Sequence, residues 1–243
     1  PLKPLINKTL SGLYSPGSTI KPIVALSALE NNVIDTKFKV KCTGKMELYG
    51  QTFHCWKEKG HGWVSLKNAM KQSCDTYFYE VARLLGVDRL NITAEKFGLG
   101  SKVLDQYFDN EKKGLFPNTN WKKNNLGKGW VLGETLITGI GQGYTQTTPL
   151  QLCMMTAQIA NGGYAIKPKI IVDNNPISYE DAKQSMESQL LFNSESKMLG
   201  DKKLFKDKKN IKIIQEAMFS STNERFGTSY KSRIDDPKYQ FAG

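Results

Sequence analysis

The segment YSPGSTIKP, from Tyr14 to Pro22, limits the possible folds most, because it joins a turn directly to an apolar helix. Its Pro-Gly pair ends any preceding strand, and the apolar spacing that follows predicts a buried helix ending near Asn31. Ser18 is therefore expected at or near the start of this helix. Lys21 follows three residues later and projects from the same face one turn on, so its amine can approach the Ser18 hydroxyl.

A serine and a lysine in this arrangement suit acyl transfer. A serine hydroxyl is a poor nucleophile, and a lysine amine can act as its base only where burial or nearby cations keep that amine neutral. The helix N-terminus directs backbone N–H groups toward an oxyanion that forms beside Ser18. The sequence therefore predicts a nucleophile at Ser18 with Lys21 as its partner.

The Ser-x-x-Lys pattern is weak evidence by itself. A second copy, Ser194-Glu195-Ser196-Lys197, lies in a polar stretch with no apolar helix behind it, and we interpret that copy as a solvated surface. For Ser18 the alternative interpretation is a helix cap followed by an exposed lysine.

Composition indicates a globular chain with a basic surface. Its 243 residues are 39% hydrophobic, enough for one large domain or a domain with a satellite. The formal net charge of +11 favours acidic partners, but the basic residues are spread among loops and often stand beside Asp or Glu. We expect a solvated basic surface rather than a nucleic-acid site.

The ends of the sequence suggest a fragment of a longer protein. No apolar run approaches the roughly 20 residues that a bilayer requires, and the chain starts at Pro1 without a signal sequence and stops at Gly243. A membrane anchor or export signal is therefore expected to lie outside it.

The first half of the chain is predicted to contain a long loop and three further helices. Residues 41–63 show no sustained period, so we expect an irregular loop that something must order. A short helix over 66–72 should run into Ser73-Cys74-Asp75, and the next helix, with apolar residues at helical spacing, should end at Gly86. A further helix should begin at Asp88. Ser73 and Asp75 thus lie at a junction between two helices.

The second half is less regular. Residues 114–129 are predicted as a polar loop, and the glycine-rich turn from Gly139 to Gly143 lacks the Gly-Lys-Ser/Thr of a phosphate loop. Thr148-Pro149 should start a helix whose buried stripe includes Cys153, and residues 164–172 should form an edge strand. Residues 174–209 are predicted as a mobile polar excursion, followed by a packed helix over 211–219.

Six blocks of sequence, in order, carry a resemblance to a known family. They are YSPGSTIKP around Ser18, GHGWVSLKNAMKQSCDTYFYEVA from Gly60, FGLG at Phe97, GIGQGYTQTTPLQL from Gly139, ANGG at Ala160 and NERFGTSY at Asn223. Together they cover most of the chain. The chain resembles the transpeptidase domain of class B penicillin-binding proteins, and among them the penicillin-binding protein 2 branch.

This resemblance implies an α/β (α+β) penicillin-binding-protein and serine β-lactamase-like fold, and a peptidoglycan D,D-transpeptidase that works through an acyl-serine. Ser18 would attack the penultimate D-Ala carbonyl of a stem peptide, with Lys21 as general base. Ser73 would relay a proton between Lys21 and the departing amine. Asp75 stands where many relatives have Asn, and an ionised carboxylate there would favour the charged form of Lys21, which opposes a base role.

The resemblance also sets expectations for the whole protein. The third motif of the family, Lys-Thr/Ser-Gly, usually follows a Phe-Ala-Gly like the one at Gly243, and strands are expected before Pro1. We therefore expect residues 1–243 to be mainly the helical part of the domain, inactive by itself. The intact parent would be anchored in the inner membrane on its periplasmic side. Its partners would be stem peptides, β-lactams, a membrane-embedded glycan polymerase and the scaffold of the cell-elongation complex.

A metal site is a further hypothesis. Cys42, Cys55, His61 and Cys74 suit tetrahedral zinc, and three of them lie in or beside the long loop. Some relatives resemble this chain in placing metal ligands beside the second motif. The alternative is a disulfide between Cys42 and Cys55 with Cys74 as a buried thiol. His54 is interpreted as a surface residue and Cys153 as helix core.

Two other functions remain open at this point. A D,D-carboxypeptidase or β-lactamase-like acyl-serine hydrolase would use water in place of the acceptor amine. A non-catalytic penicillin-sensing or scaffold domain would keep the fold without turnover.

Overall fold

The computed structural model of this chain describes residues 5–168, 170 and 202–243. Its helices are α1 (Lys8–Ser11), α2 (Lys21–Glu30), α3 (Leu66–Lys71), α4 (Asp75–Leu85), α5 (Val87–Lys96), α6 (Thr119–Leu126), α7 (Leu132–Thr138), α8 (Pro149–Ala160) and α9 (Lys208–Asn223). Its strands are β1 (Lys39–Cys42), β2 (Lys45–Leu48), β3 (Gln51–His54) and β4 (Gly62–Ser65). Short 3₁₀ helices span Gly17–Ile20, Tyr230–Ser232 and Pro237–Tyr239.

Helix α2 is the centre of the core. Every residue from Lys21 to Glu30 is buried, and the helix packs against α3, α4, α5 and α9. A helix that is apolar nearly all round belongs in an interior. Pro22 is tolerated in the first turn because the N–H that it lacks would have no intrahelical acceptor there. The predicted helix is confirmed, with its first turn, Gly17–Ile20, wound as a 3₁₀ helix.

The predicted irregular loop over 41–63 is wrong in part, because this stretch contains antiparallel strands. β1 pairs with β4, from Lys39 opposite Ser65 to Cys42 opposite Gly62, while β2 and β3 form a hairpin. Each strand has four residues and mostly exposed side chains, which is too short for an alternating pattern to stand out. The pairing brings the two ends of this stretch together.

The predicted polar loop over 114–129 is also wrong in part. It contains α6, whose N-cap Asn118 accepts a hydrogen bond from the Trp121 backbone N–H at 2.7 Å, and which ends at Gly127 with φ of 63°. The helix was missed because most of its side chains are polar. Caps rather than an apolar stripe mark its bounds.

Helix α8 starts as predicted, but its buried face differs from the prediction. Thr148 and Gln151 form a capping box, and Cys153 is exposed, so its assignment to the core is wrong. Gln151 is fully buried, and its side-chain amide donates to the carbonyls of Ser101 at 2.6 Å and Lys113 at 2.7 Å. Because these bonds satisfy the amide, a glutamine can occupy the face where an apolar residue was expected.

The last third of the chain is partly outside the described residues. Of the strand predicted over 164–172, the described residues 164–168 show an isolated bridge between Tyr164 and Lys203. Residues 169 and 171–201, which hold the rest of that strand apart from residue 170 and most of the predicted excursion, are not described. The predicted helix over 211–219 is confirmed with longer bounds as α9. Within the described ranges, no helix combines the length and apolar character needed to cross a membrane.

A buried carboxylate joins α2 to the start of α9. Glu30, the last residue of α2, is 8% exposed, and it accepts hydrogen bonds from the backbone N–H of Lys206, from that of Asp207 at 3.3 Å and from Asn210 Nδ2 at 2.5 Å. Lys206 Nζ donates to the Glu30 carbonyl at 3.0 Å. Asp207 is the N-cap of α9, and a further negative charge at a helix N-terminus is favourable, so Glu30 stabilises the start of α9 and fixes it against the core.

We expect Glu30→Gln to lower the free energy of unfolding by about 1–3 kcal/mol, because an amide cannot accept at both positions and leaves buried donors unsatisfied. Urea denaturation followed by circular dichroism measures this. Glu95→Gln, at an exposed position on α5, is the matched control and should stay within about 0.5 kcal/mol of the wild type. An equal loss in both variants would contradict the role given to Glu30.

Candidate active site

Ser18, Lys21 and Ser73 converge at the N-terminal end of α2. Lys21 begins α2 and its side chain is 3% exposed, whereas Ser18 is exposed in the preceding 3₁₀ turn. Ser73 Oγ lies 3.0 Å from Lys21 Nζ and 3.0 Å from Ser18 Oγ. Ser18 is thus connected to Lys21 through Ser73, where the sequence predicted a direct approach of the amine to the hydroxyl.

Asp75 completes the surroundings of the Lys21 amine. Its Oδ1 lies 2.7 Å from Lys21 Nζ, and the Ser73 carbonyl accepts from the same nitrogen at 3.0 Å. The Phe78 ring lies 5.3 Å from Nζ, within reach of a cation–π contact. All four sequence-predicted catalytic residues, Ser18, Lys21, Ser73 and Asp75, therefore lie in one hydrogen-bonded group.

The backbone of Ser73 has an unusual conformation. Its φ is +51°, in the left-handed region that non-glycine residues rarely adopt. Its N–H donates to the Met70 carbonyl at 3.1 Å, and the N–H of Cys74 donates to the Ala69 carbonyl at 2.9 Å. These two bonds form a Schellman motif that ends α3 at the position usually occupied by glycine. The turn places the Ser73 side chain at the α3–α4 junction.

The glycine-rich turn from Gly139 to Gly143 packs behind the Ser18 turn, a role that sequence reasoning missed. The N–H of Gly17 donates to the Gly141 carbonyl at 2.9 Å. A Cβ at Gly141, where φ is +72°, would lie 2.2 Å from the Gly17 carbonyl oxygen. The two backbones are therefore too close for any side chain between them. The available signal was the spacing of three glycines within five residues.

The four predicted metal ligands form one cluster. The sulfurs of Cys42, Cys55 and Cys74 and a ring nitrogen of His61 all lie within 4.8 Å of one another. His61 Nδ1 is 3.5 Å from the sulfurs of both Cys42 and Cys55. Zinc bonds of about 2.3 Å to sulfur and 2.0–2.1 Å to nitrogen give a tetrahedral S···N edge of about 3.5 Å, so the donor set fits this metal.

Two thiols of the cluster shift each other's pKa through a hydrogen bond. A hydrogen bond from the Cys74 thiol lowers the pKa of Cys55 to about 3. The same hydrogen bond, together with burial, raises the pKa of Cys74. The cluster thus favours a thiolate at Cys55, which is the form that binds metals.

The rival hypothesis of a Cys42–Cys55 disulfide does not match this structure, in which both cysteines are free and buried. His54 is exposed, as predicted.

Comparison with known proteins identifies the family. Residues 2–243 match the penicillin binding protein transpeptidase domain. The chain belongs to this family. Relatives include the peptidoglycan D,D-transpeptidase MrdA of Acinetobacter baumannii, 40% identical over 172 residues, covering 70% of this chain and 25% of that protein. MrdA of Escherichia coli K12 is 36% identical over 186 residues, covering 76% of this chain and 29% of that protein.

Solved structures agree with this family assignment. PBP2 from Pseudomonas aeruginosa in complex with WCK 5153 has a TM-score of 0.78 at 38% identity, over 94% of this chain and 49% of that one. PBP2 from Helicobacter pylori has a TM-score of 0.80 at 30% identity, over 96% of this chain and 40% of that one. The predicted α+β fold and the predicted class B, penicillin-binding protein 2 membership are confirmed. The chain spans between a quarter and a half of the length of these relatives.

The left-handed conformation of Ser73 leads to a stability prediction for two variants that both lack the hydroxyl. We expect Ser73→Gly to be more stable than Ser73→Ala by about 1 kcal/mol, because glycine adopts positive φ without a Cβ penalty. Thermal and urea unfolding measure the difference. At Lys212, exposed within α9, the order should reverse, with alanine more stable than glycine. Greater stability of Ser73→Ala would contradict the assignment.

Proposed function

We propose that this chain carries the acylation site of a peptidoglycan D,D-transpeptidase that cross-links stem peptides. One observation supports this most: the hydrogen-bonded series Ser18 Oγ, Ser73 Oγ and Lys21 Nζ, with 3.0 Å at each step. An exposed hydroxyl beside a buried amine is what an acyl-serine mechanism needs, and membership in the transpeptidase family agrees with it.

In the proposed reaction, Ser18 Oγ attacks the carbonyl carbon of the penultimate D-Ala and its proton passes to Ser73, whose own proton passes toward Lys21. The tetrahedral intermediate then expels the terminal D-Ala as an amine, which takes a proton back along the same series. An acceptor amine then attacks the ester carbonyl, the new amide forms as the bond to Ser18 Oγ breaks, and the proton lost by the amine returns to Ser18 Oγ along the same series. Ser73 is well placed for this relay because it touches both other groups.

The resting arrangement suits a protonated Lys21. Nζ has three acceptors, the Ser73 carbonyl, Ser73 Oγ and Asp75 Oδ1, and these match the three protons of an ammonium group. Base function therefore requires one proton to leave first. Asp75 Oδ1, at 2.7 Å, is the nearest of the three acceptors.

Covalent labelling tests the nucleophile. We expect the full-length wild-type protein to form a stable adduct with a fluorescent penicillin and Ser18→Ala to form none, because the ester oxygen is gone. Gel fluorescence and peptide mass spectrometry detect the adduct. Ser194→Ala, which removes the serine of the second Ser-x-x-Lys copy, is the matched control and should label like the wild type. An adduct on Ser18→Ala would contradict the assignment.

The reaction product distinguishes the competing enzymes. A transpeptidase given stem peptides yields a cross-linked dimer, whereas a D,D-carboxypeptidase yields a trimmed monomer and a β-lactamase a hydrolysed penicillin. A sensing or scaffold domain would form none of these three products.

We also propose that Cys42, Cys55, His61 and Cys74 hold a structural zinc ion. The fit of their donor atoms to a tetrahedral site supports this, and all but His61 are fully or nearly fully buried. Zinc would fix the stretch 41–63 to the α3–α4 junction through Cys74. Cys74 lies between Ser73 and Asp75, so the metal would hold both residues in place without taking part in the chemistry.

Metal analysis tests the zinc site. We expect about one zinc per chain in native mass spectrometry, and a lower melting temperature after chelation, because a structural metal contributes its binding energy to folding. Cys42→Ser should lose zinc at least about tenfold more readily, while Cys153→Ser, at an exposed cysteine outside the cluster, should keep it. A metal-free protein with a peptide linked through Cys42 and Cys55 would contradict the proposal.

The partners and location are proposed from the relatives. PBP2 of Helicobacter pylori has been solved in a complex with MreC, and another similar structure, 26% identical with a TM-score of 0.70, concerns polymerization and crosslinking by a peptidoglycan synthase complex. We infer a periplasmic scaffold protein and a membrane glycan polymerase as partners. The protein would then work at the periplasmic side of the inner membrane.

A further inference from the structure

Trp56 uses both of its N–H groups inside the protein although its side chain is 59% exposed. Its backbone N–H donates to Asp75 Oδ2 at 3.0 Å. Its indole Nε1–H donates to the carbonyls of Gln72 at 2.9 Å and Ser73 at 3.0 Å. An exposed indole could bond to water instead, so this bonding fixes the side chain against the α3–α4 junction.

Two of the three residues that accept hydrogen bonds from Trp56 also accept from Lys21. Asp75 accepts from Lys21 through Oδ1 and from Trp56 through Oδ2, and the Ser73 carbonyl accepts from both Lys21 Nζ and the indole. A carboxylate bonded at both oxygens cannot rotate freely. The carbonyl of Ser73 is likewise held in one direction, beyond what its Schellman turn provides.

The geometry points to Trp56 as a positioning residue that sets the orientation of Ser73 and Asp75 and, through them, of the Lys21 amine. This inference rests on the proposed acylation at Ser18. Trp56 directly follows Cys55, so it also links the Cys/His cluster to the catalytic group by a single peptide bond. Positioning of this kind matters because small displacements of reacting groups cost large factors in rate.

A purely structural role for Trp56 must be separated from positioning. The indole packs edge-on against the His61 ring, with 5.4 Å between ring centroids, and removing it would disturb the cluster. Trp56→Phe keeps an aromatic ring and the backbone N–H but removes the indole donor. Trp56→His restores a donor, since its Nε2, like the indole Nε1, is separated from Cγ by one ring carbon.

The experiment measures the acylation rate constant and the dissociation constant for a fluorescent penicillin separately, in the full-length protein near pH 8, where an ordinary histidine is neutral. We expect Trp56→Phe to lower the acylation rate constant about tenfold, which corresponds to the upper end of the free energy of one hydrogen bond. The dissociation constant and the melting temperature should stay unchanged. Trp56→His should recover at least about threefold of that loss. Trp63→Phe, at a 67% exposed tryptophan on β4, is the matched control and should react like the wild type.

Two kinds of failure are distinguishable. A wild-type protein that is not labelled at Ser18 overturns the proposed function and this inference with it. A labelled wild type overturns the inference alone if Trp56→Phe reacts at the wild-type rate, if Trp63→Phe loses as much, or if Trp56→His is as slow as Trp56→Phe. A loss confined to the dissociation constant or matched by a lower melting temperature also overturns it.

Discussion

The Lys21 amine, almost completely removed from solvent, is the group on which the arrangement of this site depends. A buried charge is costly unless its partners replace the water that it has lost. Here Ser73 and Asp75 do so, and both belong to the junction between α3 and α4, far along the chain from α2. The Lys21 amine therefore finds its hydrogen-bond partners only when α2 docks correctly against that junction. Folding of the core and assembly of the site thus occur together.

Sequence reasoning succeeded where a local signal was strong. Caps, prolines and helical spacing indicated the turn before α2, the start of α8 at Thr148-Pro149 and the junction at Ser73. Residue type and resemblance indicated which residues form the proposed catalytic group and the cysteine cluster. It failed where a tertiary contact decides the outcome. Short strands in 39–65, the polar helix α6 and the buried Gln151 are stabilised by pairing, caps and long-range hydrogen bonds that no local period reveals.

Trp56 illustrates the same limit within the site. Its position after Cys55 was visible in the sequence, but its three acceptor residues lie 16 to 19 residues away. Only the folded chain shows that two of them, Ser73 and Asp75, also bind Lys21. The left-handed backbone of Ser73 could not be predicted from the sequence either. Nothing in the letters Gln-Ser-Cys-Asp indicates a left-handed serine, because that conformation is imposed by the end of α3 and the start of α4.

The contact between Gly17 and Gly141 limits how Ser18, the proposed nucleophile, can move. The backbones of Gly17 and Gly141 are in contact next to Ser18, so the Ser18 turn has no space to move toward Gly141. If the Ser18 hydroxyl is acylated as proposed, any adjustment to a bulky acyl group must be made by the adduct or by residues other than Gly17 and Gly141. The Gly17–Gly141 contact thus forms a rigid support for Ser18. Differences in how acylating compounds fit should be sought on the side of Ser18 that faces away from this contact.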